Sequence, residues 1–537
     1  DPNQEYVADG GTVVAGMIHN ILSSEPIRLY RLTDFWSGKA LPLLFPWNPC
    51  LSPEAINEDR AGRALDALYR AEPQKVFSAV MRQVIAQYAL DVSHIHYDTT
   101  SKSFYGVYAN QRPEQGPQLV RGHSKDHRPD LVQLLFGVVM SRDGVLASGE
   151  VASGNEQDMK LNGYWITQIR QQLGLDISQF LLYVADSAAV TEENLHLLRL
   201  FHIDLISRLP KRFGLAETLF AKALASEQPW ADLGTIGQGK KAAQYEAWET
   251  TAELAGVRYR FLVVRSDKLT AQQTRTLERA IVRQQKSAQK ALAALAQERW
   301  ETPAEAKWAQ THFEKTHSRR YHQVVGNVTP CIEYLPRRPG QPRKGEVRPT
   351  ITRYQLHGDL QPNIEAIEAA RARCGLFILI TSLMDAAAYP TATILAEYKE
   401  QHLPERMNKF LKSPIAIGAF CLKRPERIIA LGYVLLMSAM IYTLLERQVR
   451  KALGQATEPP VLGLDRRPTR RPTTWAIFTA LSAILIVAQR TGDTWHFRPS
   501  RPLSHNQCRI LTLAGFGPEI YSWQGRLALE NLGLPAP

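Results

Sequence analysis

Apolar residues recur at helical spacing through the first part of the chain, most clearly over residues 76–90. Ser52 followed by Pro53 is typical of a helix start, because a serine side chain caps free backbone amides and proline has no amide to satisfy there. The spacing therefore predicts a helical N-terminal region over residues 1–90, with one of its helices beginning at Ser52.

After residue 90 the pattern changes to short runs rich in β-branched and aromatic residues. The run at 93–100 alternates up to Asp98, two threonines follow, and a second β-like run begins at Ser103. We interpret this as a strand, a turn after Asp98, and a second strand of a hairpin. Helical spacing at 157–173 and 191–201 separates the later strand-like runs, which lie at 131–140, 144–152, 180–188 and 202–209.

This mixture of runs predicts an α/β sheet with both antiparallel and parallel neighbours. From residue 211 to residue 373 the pattern breaks up around a charged helical stretch at 270–300, and an apolar strand at 375–382 and a long helix from about Thr391 follow. We interpret 211–373 as a mixed α+β insertion in a core formed by 91–210 and 374–450. The remainder, 451–537, is predicted to be a basic linker and a helical C-terminal region.

Residues 428–445 form an uncharged segment long enough to span a bilayer. The segment contains Ser438, Tyr442 and Thr443, and charged and basic sequence surrounds it. We interpret it, and a shorter apolar segment at 475–489, as buried core helices. A membrane-associated basic protein remains an alternative, which partitioning without detergent would test.

Charge and cysteine usage narrow the class of partner and the compartment. The 537 residues carry a net charge of +12 and have a pI near 9.4, which favours a polyanionic partner, nucleic acid before an anionic membrane surface. The five cysteines are scattered, and no pair has zinc-site spacing. A reduced, cytoplasmic chain explains them best.

Three acidic residues lie where a sheet or a helix could present them. Asp98 follows an alternating run, Asp186 follows the apolar run 180–184, and Glu405 lies seven residues from both Tyr398 and Lys412 on a predicted helix. Taken singly, each has an ordinary interpretation: a turn residue, a helix cap and a solvated helix face. Taken together, three carboxylates suit a hard divalent cation.

The spacing of these residues resembles a known signature. Tyr398, Gln401, Glu405 and Lys412 keep every interval of Tyr-x2-Arg-x3-Glu-x6-Lys, while "HYDTT" and "VADSA" resemble the first and second acidic motifs that accompany it. "GHSKDHRPDL" resembles the connector of one subgroup. In this order the motifs resemble those of the DDE transposases of bacterial insertion sequences, over about residues 10–525.

The resemblance implies a ribonuclease H-like catalytic core interrupted by the insertion, and a DNA transposase that cuts transposon ends and joins them to target DNA. Asp98, Asp186 and Glu405 would be catalytic and would bind two Mg²⁺ ions, for which Mn²⁺ can substitute. The partners implied are double-stranded DNA, as terminal inverted repeats and target, and a second copy of the chain on that DNA. The N-terminal region would bind the DNA end or dimerise, and the location would be the bacterial cytoplasm, at the nucleoid and not in a membrane.

Further residues are expected to contact DNA. The resemblance implies backbone contacts from Tyr398, Gln401 and Lys412. The polar loop 121–130 offers Arg121, Lys125 and Arg128, with a solvated loop as the alternative. The basic clusters at 337–344 and 466–471 are candidate DNA-tracking segments or, equally, charged linkers.

Two positions depart from the signature and keep a rival function open. Gln401 stands where the signature has arginine, which removes a charged phosphate contact. Pro404 directly precedes Glu405, and a proline within a helix removes a hydrogen bond and kinks the helix. The kink either aims Glu405 or marks a decayed copy. A catalytically decayed or repurposed sequence-specific DNA-binding protein is therefore the alternative.

Overall fold

The computed structural model divides the chain into two compact units. Unit 1 comprises Asp1–Arg208, Glu253–Tyr259 and Ile380–Pro537, and unit 2 comprises Leu209–Ala252 and Arg260–Leu379. The chain is mixed α/β, as the sequence predicted at that level. The structure describes residues 8–105, 108, 113, 116–125, 128–237, 242–316, 320–336, 347–412, 422–455, 457 and 460–527.

The N-terminal part of unit 1 is helical, which confirms the prediction for the described residues of 1–90. Ser52, however, precedes only a single 3-10 turn, Pro53–Ala55, and makes no side-chain cap. The longer helix begins after Asn57, whose side chain accepts a hydrogen bond from the Arg60 amide. The helices here are α1 (Gly10–Leu22), α2 (Leu32–Trp36), α3 (Leu41–Leu44), α4 (Glu58–Arg70) and α5 (Pro73–Tyr88), with a further 3-10 turn at Leu29–Arg31.

Five strands of unit 1 lie in the order β3-β2-β1-β4-β5. The β1/β2 and β2/β3 pairs are antiparallel, whereas the β1/β4 and β4/β5 pairs are parallel. Helices α6 (Asp158–Leu173) and α7 (Glu192–Leu200) connect the later strands. The strands are β1 (His94–Phe104), β2 (Val132–Ser141), β3 (Leu146–Ser153), β4 (Leu182–Ala185) and β5 (Asp204–Arg208).

The turn predicted after Asp98 does not exist. Strand β1 continues without interruption to Phe104, and its antiparallel ladder with β2 runs from Ile95 opposite Ser141 to Phe104 opposite Val132. The side chains of Thr99, Thr100 and Ser101 are buried in this ladder. Tertiary pairing therefore overrides the turn preference of the Asp-Thr-Thr sequence.

Unit 2 combines antiparallel strands with long helices. The charged stretch predicted at 270–300 is helical, as α9 (Asp267–Leu295). Two strand pairs are antiparallel, β6 with β7 and β9 with β10. The elements lying wholly or mainly in this unit are α8 (Gly214–Ala225), β6 (Ala231–Ile236), β7 (Ala243–Leu254), β8 (Val257–Ser266), α9, α10 (Pro303–Thr316), β9 (His322–Tyr334), β10 (Thr350–Pro362), α11 (Ile364–Ala372) and β11 (Leu376–Thr381).

The helix predicted from Thr391 is two helices. Helix α12 (Thr391–Lys399) ends before Glu400, and α13 (His402–Lys412) begins after Gln401. Pro404 is the third residue of α13 and so lies in its first turn. Backbone amides in a first helical turn have no intrahelical acceptor, so proline is tolerated there. The expectation that Pro404 kinks a continuous helix is therefore wrong.

Helix α14 (Pro425–Gln455) carries the long apolar segment. Among the described residues it is the one helix that length and composition would allow to cross a membrane, and 72% of its most apolar window is buried within the protein. Its apolar side chains join those of α1, α4, α5 and strands β2 and β3 in one core. The prediction of a buried core helix is confirmed.

The C-terminal region is not wholly helical, contrary to the prediction. The prediction of a buried core helix at 475–489 is wrong, because helix α15 (Thr474–Leu481) ends well before residue 489 and residues 482–489 are exposed or half-buried. The chain then forms the three-stranded antiparallel sheet β14-β15-β16. Gly492, with φ +61°, supplies the left-handed turn that joins the first two strands. The remaining elements are β12 (Val461–Leu462), β13 (Pro468–Thr469), β14 (Ile486–Thr491), β15 (Thr494–Pro499), α16 (His505–Ala514), the 3-10 turn Pro518–Tyr521 and β16 (Trp523–Arg526).

Candidate active site

The register between β1 and β4 brings Asp98 and Asp186 together. In this parallel pair Tyr97 lies opposite Ala185, and that is the last paired position, so the next residue of each strand is an aspartate. Asp186 Oδ1 accepts a hydrogen bond from the Ala188 amide at 2.9 Å. Two aspartates thus lie side by side at the carboxyl end of β4, an edge where α/β sheets commonly bind ligands.

Asp98 is held by two donors on either side of its carboxylate. Its Oδ1 accepts from the Thr99 amide at 2.8 Å, and its Oδ2 accepts from Asn408 Nδ2 on α13 at 2.9 Å. Burial raises the pKa of Asp98 to about 6, and the charges of Asp186 and Asp158 add to that rise. The Thr99 amide and the Lys125 ammonium oppose it.

Asp158, the first residue of α6, is a third acid at this edge. Its charge raises the pKa of Asp186, where burial is the larger cause. The Thr99 hydroxyl donates to Asp158 Oδ1 at 2.7 Å. Lys125 Nζ lies 3.3 Å from Asp158 Oδ2 and donates to the Thr99 carbonyl at 2.8 Å. The Lys125 ammonium thus offsets part of the negative charge of three carboxylates.

Tyr398 and Glu405 lie on different helices, and only Tyr398 is directly influenced by one of the two aspartates. Tyr398 lies near the end of α12, and burial raises its pKa while the charges of Asp186 and Glu405 raise it further and that of Arg208 lowers it. Glu405 lies in the first turn of α13 with an exposed side chain. Because the helix breaks between Tyr398 and Glu405, the predicted straight stripe from Tyr398 through Glu405 to Lys412 on one helix is wrong.

Two amides fix α13 against strand β1. Gln401 Nε2 donates to the Tyr97 carbonyl at 2.8 Å, so this donor is engaged within the protein. Asn408 donates to Asp98 as described. The side-chain oxygens of both amides are buried and have no hydrogen-bond partner among the described residues. The Asn408 side-chain oxygen, which has no partner among the described residues, is an uncharged oxygen that is available as a metal ligand near Asp98.

A second cluster holds α12 against β1. Glu397 Oε1 lies 2.9 Å from His94 Nδ1 and 3.2 Å from His96 Nε2. Burial alone would raise the pKa of Glu397, but the two histidines hold it at about 2. Since Glu397 directly precedes Tyr398, this cluster anchors the turn of helix that carries the tyrosine.

The predicted DNA contacts outside the signature have different surroundings. Lys125 points toward the acids instead of outward. Arg128 pairs with Asp130 at 2.7 Å and lies over the Tyr105 ring. Arg121 is exposed, and Lys412 is partly buried at the end of α13. Of the basic clusters, that at 466–471 lies on the exposed chain before α15, and that at 337–344 falls outside the described residues.

Oxygen ligands are the kind that Mg²⁺ prefers, and the site offers the carboxylates of Asp98 and Asp186 and the free amide oxygen of Asn408. Within the part of the chain that the structure describes, no group of three or more His, Cys, Asp and Glu side chains is arranged so that it could hold a metal ion. The oxygen atoms of these side chains fit magnesium in type, and Glu405, on α13, is not grouped with the two aspartates.

Sequence reasoning missed Asp158 and Asn408. Asn408 could have been found, because it lies three residues after Glu405 and residues three apart share a helix face. Asp158 carried a weaker signal, since an acid in the first turn of a helix usually serves the helix dipole.

Comparison with known families covers one part of the chain. A family described as a domain of unknown function (DUF4277) matches residues 2–82. No curated protein matches the sequence. The similarity coincides with the N-terminal helices and ends before β1, so it does not include Asp98, Asp186 or Glu405.

Proposed function

We propose that this protein is a DDE-type DNA transposase that cuts the ends of its element and joins them to target DNA. The observation that carries the proposal is the register of β1 and β4, which sets Asp98 beside Asp186 although they are far apart in the sequence. A donor from α13, Asn408, completes the contact with the helix that bears Glu405. The spacing of the signature and the net charge of +12 support it.

The strand arrangement of unit 1 supports a ribonuclease H-like core. The order β3-β2-β1-β4-β5, antiparallel in its first three strands and parallel in its last three, is the arrangement expected of such a core. Helices α12 and α13 follow β11; Tyr398 of α12 lies near Asp186, and Asn408 of α13 donates to Asp98. Unit 2 lies in sequence between β5 and these helices, where the resemblance implies the insertion.

The residues of the site have distinct tasks in this reaction. Asp98, Asp186 and, as the resemblance implies, Glu405 would hold magnesium, with Asn408 as a neutral oxygen ligand. Magnesium when bound supplies an activated water or hydroxyl and stabilises the leaving oxygen. Lys125 limits the repulsion among the carboxylates. The Thr99 amide and Asn408 fix the orientation of Asp98. Tyr398 presents a hydroxyl near Asp186 for the DNA backbone.

The test is cleavage of labelled duplex DNA that carries the sequences flanking the gene of this chain, with and without Mg²⁺. Asp98→Ala, Asp186→Ala and Glu405→Ala are each expected to abolish nicking while binding of the DNA persists. Asp493→Ala, an exposed aspartate in the β14–β15 turn, is the matched control and should cut normally.

Normal cutting by any of the three site variants would refute the assignment. Binding of the flanking DNA by the unaltered chain, with no nicking in Mg²⁺ or Mn²⁺, would instead support the alternative of a decayed or repurposed DNA-binding protein.

A further inference from the structure

A strongly basic cavity lies on unit 1, on the side of α13 that carries Arg406. Its volume is about 660 Å³, and α13, α14, the β2–β3 turn and the chain at 470–471 line it. Seven Arg and Lys side chains line the cavity, against four Asp and Glu. We name it the basic cavity. Nothing in the acid site described above uses it.

Its carboxylates are already shared among several cations. Glu446, which is buried, pairs with both Arg406 and Arg450, the latter at 2.7 Å. The same carboxylate accepts a hydrogen bond from the Thr474 amide at 2.9 Å. Asp143 pairs with Arg447 at 2.8 Å. One buried charge therefore serves two guanidinium groups and a helix start, and positive charge remains in excess.

The excess lies on side chains that face solvent. Lys451 and Arg471 are exposed, and in the described ranges neither has a carboxylate partner. Burial lowers the pKa of Arg450, Glu446 opposes this, and the nearby charges of Arg406 and Arg471 lower it further. An anion placed between cations that repel one another across a cavity stabilises them. One guanidinium group can donate two parallel hydrogen bonds to two oxygens of a phosphate.

Helix α13 joins the basic cavity to the acid site. Arg406 lines the cavity, while Asn408, two residues further along and on the opposite face, donates to Asp98. A helix with its side chains is about 10–12 Å across, and successive phosphates on one DNA strand advance by about 3.4 Å. A strand whose scissile bond lies at Asp98 thus has other phosphates within reach of the cavity.

We infer that the basic cavity binds phosphodiester groups of the duplex DNA that the acid site cuts, a few nucleotides from the cleavage position. This inference rests on the proposed function for its ligand. Lys451 and Arg471, which have no carboxylate partner among the described residues, contact the phosphates and replace salt ions there, and the paired arginines shape the cavity.

The test measures binding of a fluorescent duplex DNA without divalent metal, over a series of salt concentrations. The variant Lys451→Gln/Arg471→Gln should flatten the plot of log affinity against log salt by about 1.8, or about 0.9 for each lost phosphate contact. The charge-conserving variant Lys451→Arg/Arg471→Lys should restore the slope. Both positions are exposed, so folding is expected to persist, and circular dichroism verifies it.

The matched control is Arg490→Gln/Arg498→Gln, which removes the same charge from exposed positions of strands β14 and β15, outside the cavity. It should keep the slope of the unaltered chain. Equal flattening by both pairs, no flattening by either, or loss of binding to phosphatidylserine vesicles but not to DNA would each overturn the cavity assignment.

Failure of the two proposals gives different results. If the unaltered chain cuts DNA and the cavity variant keeps its salt slope, the cavity assignment is wrong and the transposase proposal stands. If DNA binding depends on the cavity but no DNA is cut, the cavity assignment stands and the transposase proposal is wrong.

Discussion

The Asp98 carboxyl is buried between a strand and a helix, and this gives it an unusual dependence on pH. Its pKa in the folded protein is about 6, whereas aspartate in an unfolded chain titrates near 3.9. Between these two values the folded state binds more protons, so this group makes folding less favourable as pH rises from about 4 to about 6.

Replacing Asp98 by asparagine should therefore stabilise the metal-free protein. In EDTA above pH 6, the Asp98→Asn variant is expected to unfold at a higher urea concentration than the unaltered chain. Its free energy of unfolding should be larger by up to about 3 kcal/mol, at 1.36 kcal/mol per pKa unit. The gain should disappear near pH 4. Asp493→Asn, at an exposed position, should show no such trend, and a gain for Asp98→Asn that does not vary with pH would contradict the assigned cause.

At this scale the sequence located Asp98 and Asp186, because each acid follows a run with strand character. It could not place Asp158 or Asn408 beside them, since both contacts depend on how α6 and α13 pack against β1. Gln401 shows the same limit. Its spacing suggested a DNA contact, but its amide donates to the Tyr97 carbonyl, which only the packed structure reveals.

At the scale of elements, the break between α12 and α13 places Pro404 in the first turn of a helix instead of in a helix interior. The seven-residue spacing of Tyr398, Glu405 and Lys412 suggested one continuous helix, and a proline within such a helix would be costly. In the structure the chain leaves the helical path at Glu400–Gln401 and starts again. The proline then occupies a first turn, where it costs little.

Substitutions in α13 can distinguish these two situations. Pro404→Ala is expected to change the free energy of unfolding by well under about 1 kcal/mol, because no intrahelical hydrogen bond is gained at that position. Met407→Pro, one turn later, should cost about 3 kcal/mol or more. Urea unfolding of both variants gives the comparison, and a large loss for Pro404→Ala would show that Pro404 orients the helix after all.

The elements that the sequence predicted well were those with long, regular periodicity, such as α5, α6, α9 and α14. The errors fell where a polar or short segment finds a partner elsewhere in the chain. Strand β1 passes through an Asp-Thr-Thr sequence because β2 pairs with it along its whole length. Strand β14 was missed because it begins within the apolar run at 475–489, and an apolar run of that length suits a helix or a strand.

On the scale of the whole molecule, the long apolar segment of α14 belongs either to the protein core or to a membrane, and substitutions in this helix distinguish the two. Leu435 is fully buried, and Ile441 on the same helix is 37% exposed. A soluble core requires the first residue far more than the second.

Leu435→Ala is expected to lower the free energy of unfolding by about 2–5 kcal/mol, the range for truncating a buried leucine. Ile441→Ala, the matched control, should cost considerably less. Urea unfolding in detergent-free buffer measures both. Equal effects of the two substitutions, or a chain that dissolves only with detergent, would favour the membrane alternative.

Helix α13 is tied on both faces, to Asp98 through Asn408 and to Glu446 through Arg406. A phosphate bound in the basic cavity would add negative charge beside the Arg406–Glu446 pair, and so would change the restraint on the same short helix that orients Asp98. Thermodynamic linkage then requires reciprocity: whatever factor DNA binding at the basic cavity imposes on metal affinity at the acid site, metal imposes on DNA affinity. If both proposals hold, metal binding at the acid site and DNA binding at the basic cavity would be thermodynamically coupled, and neither affinity could change without the other.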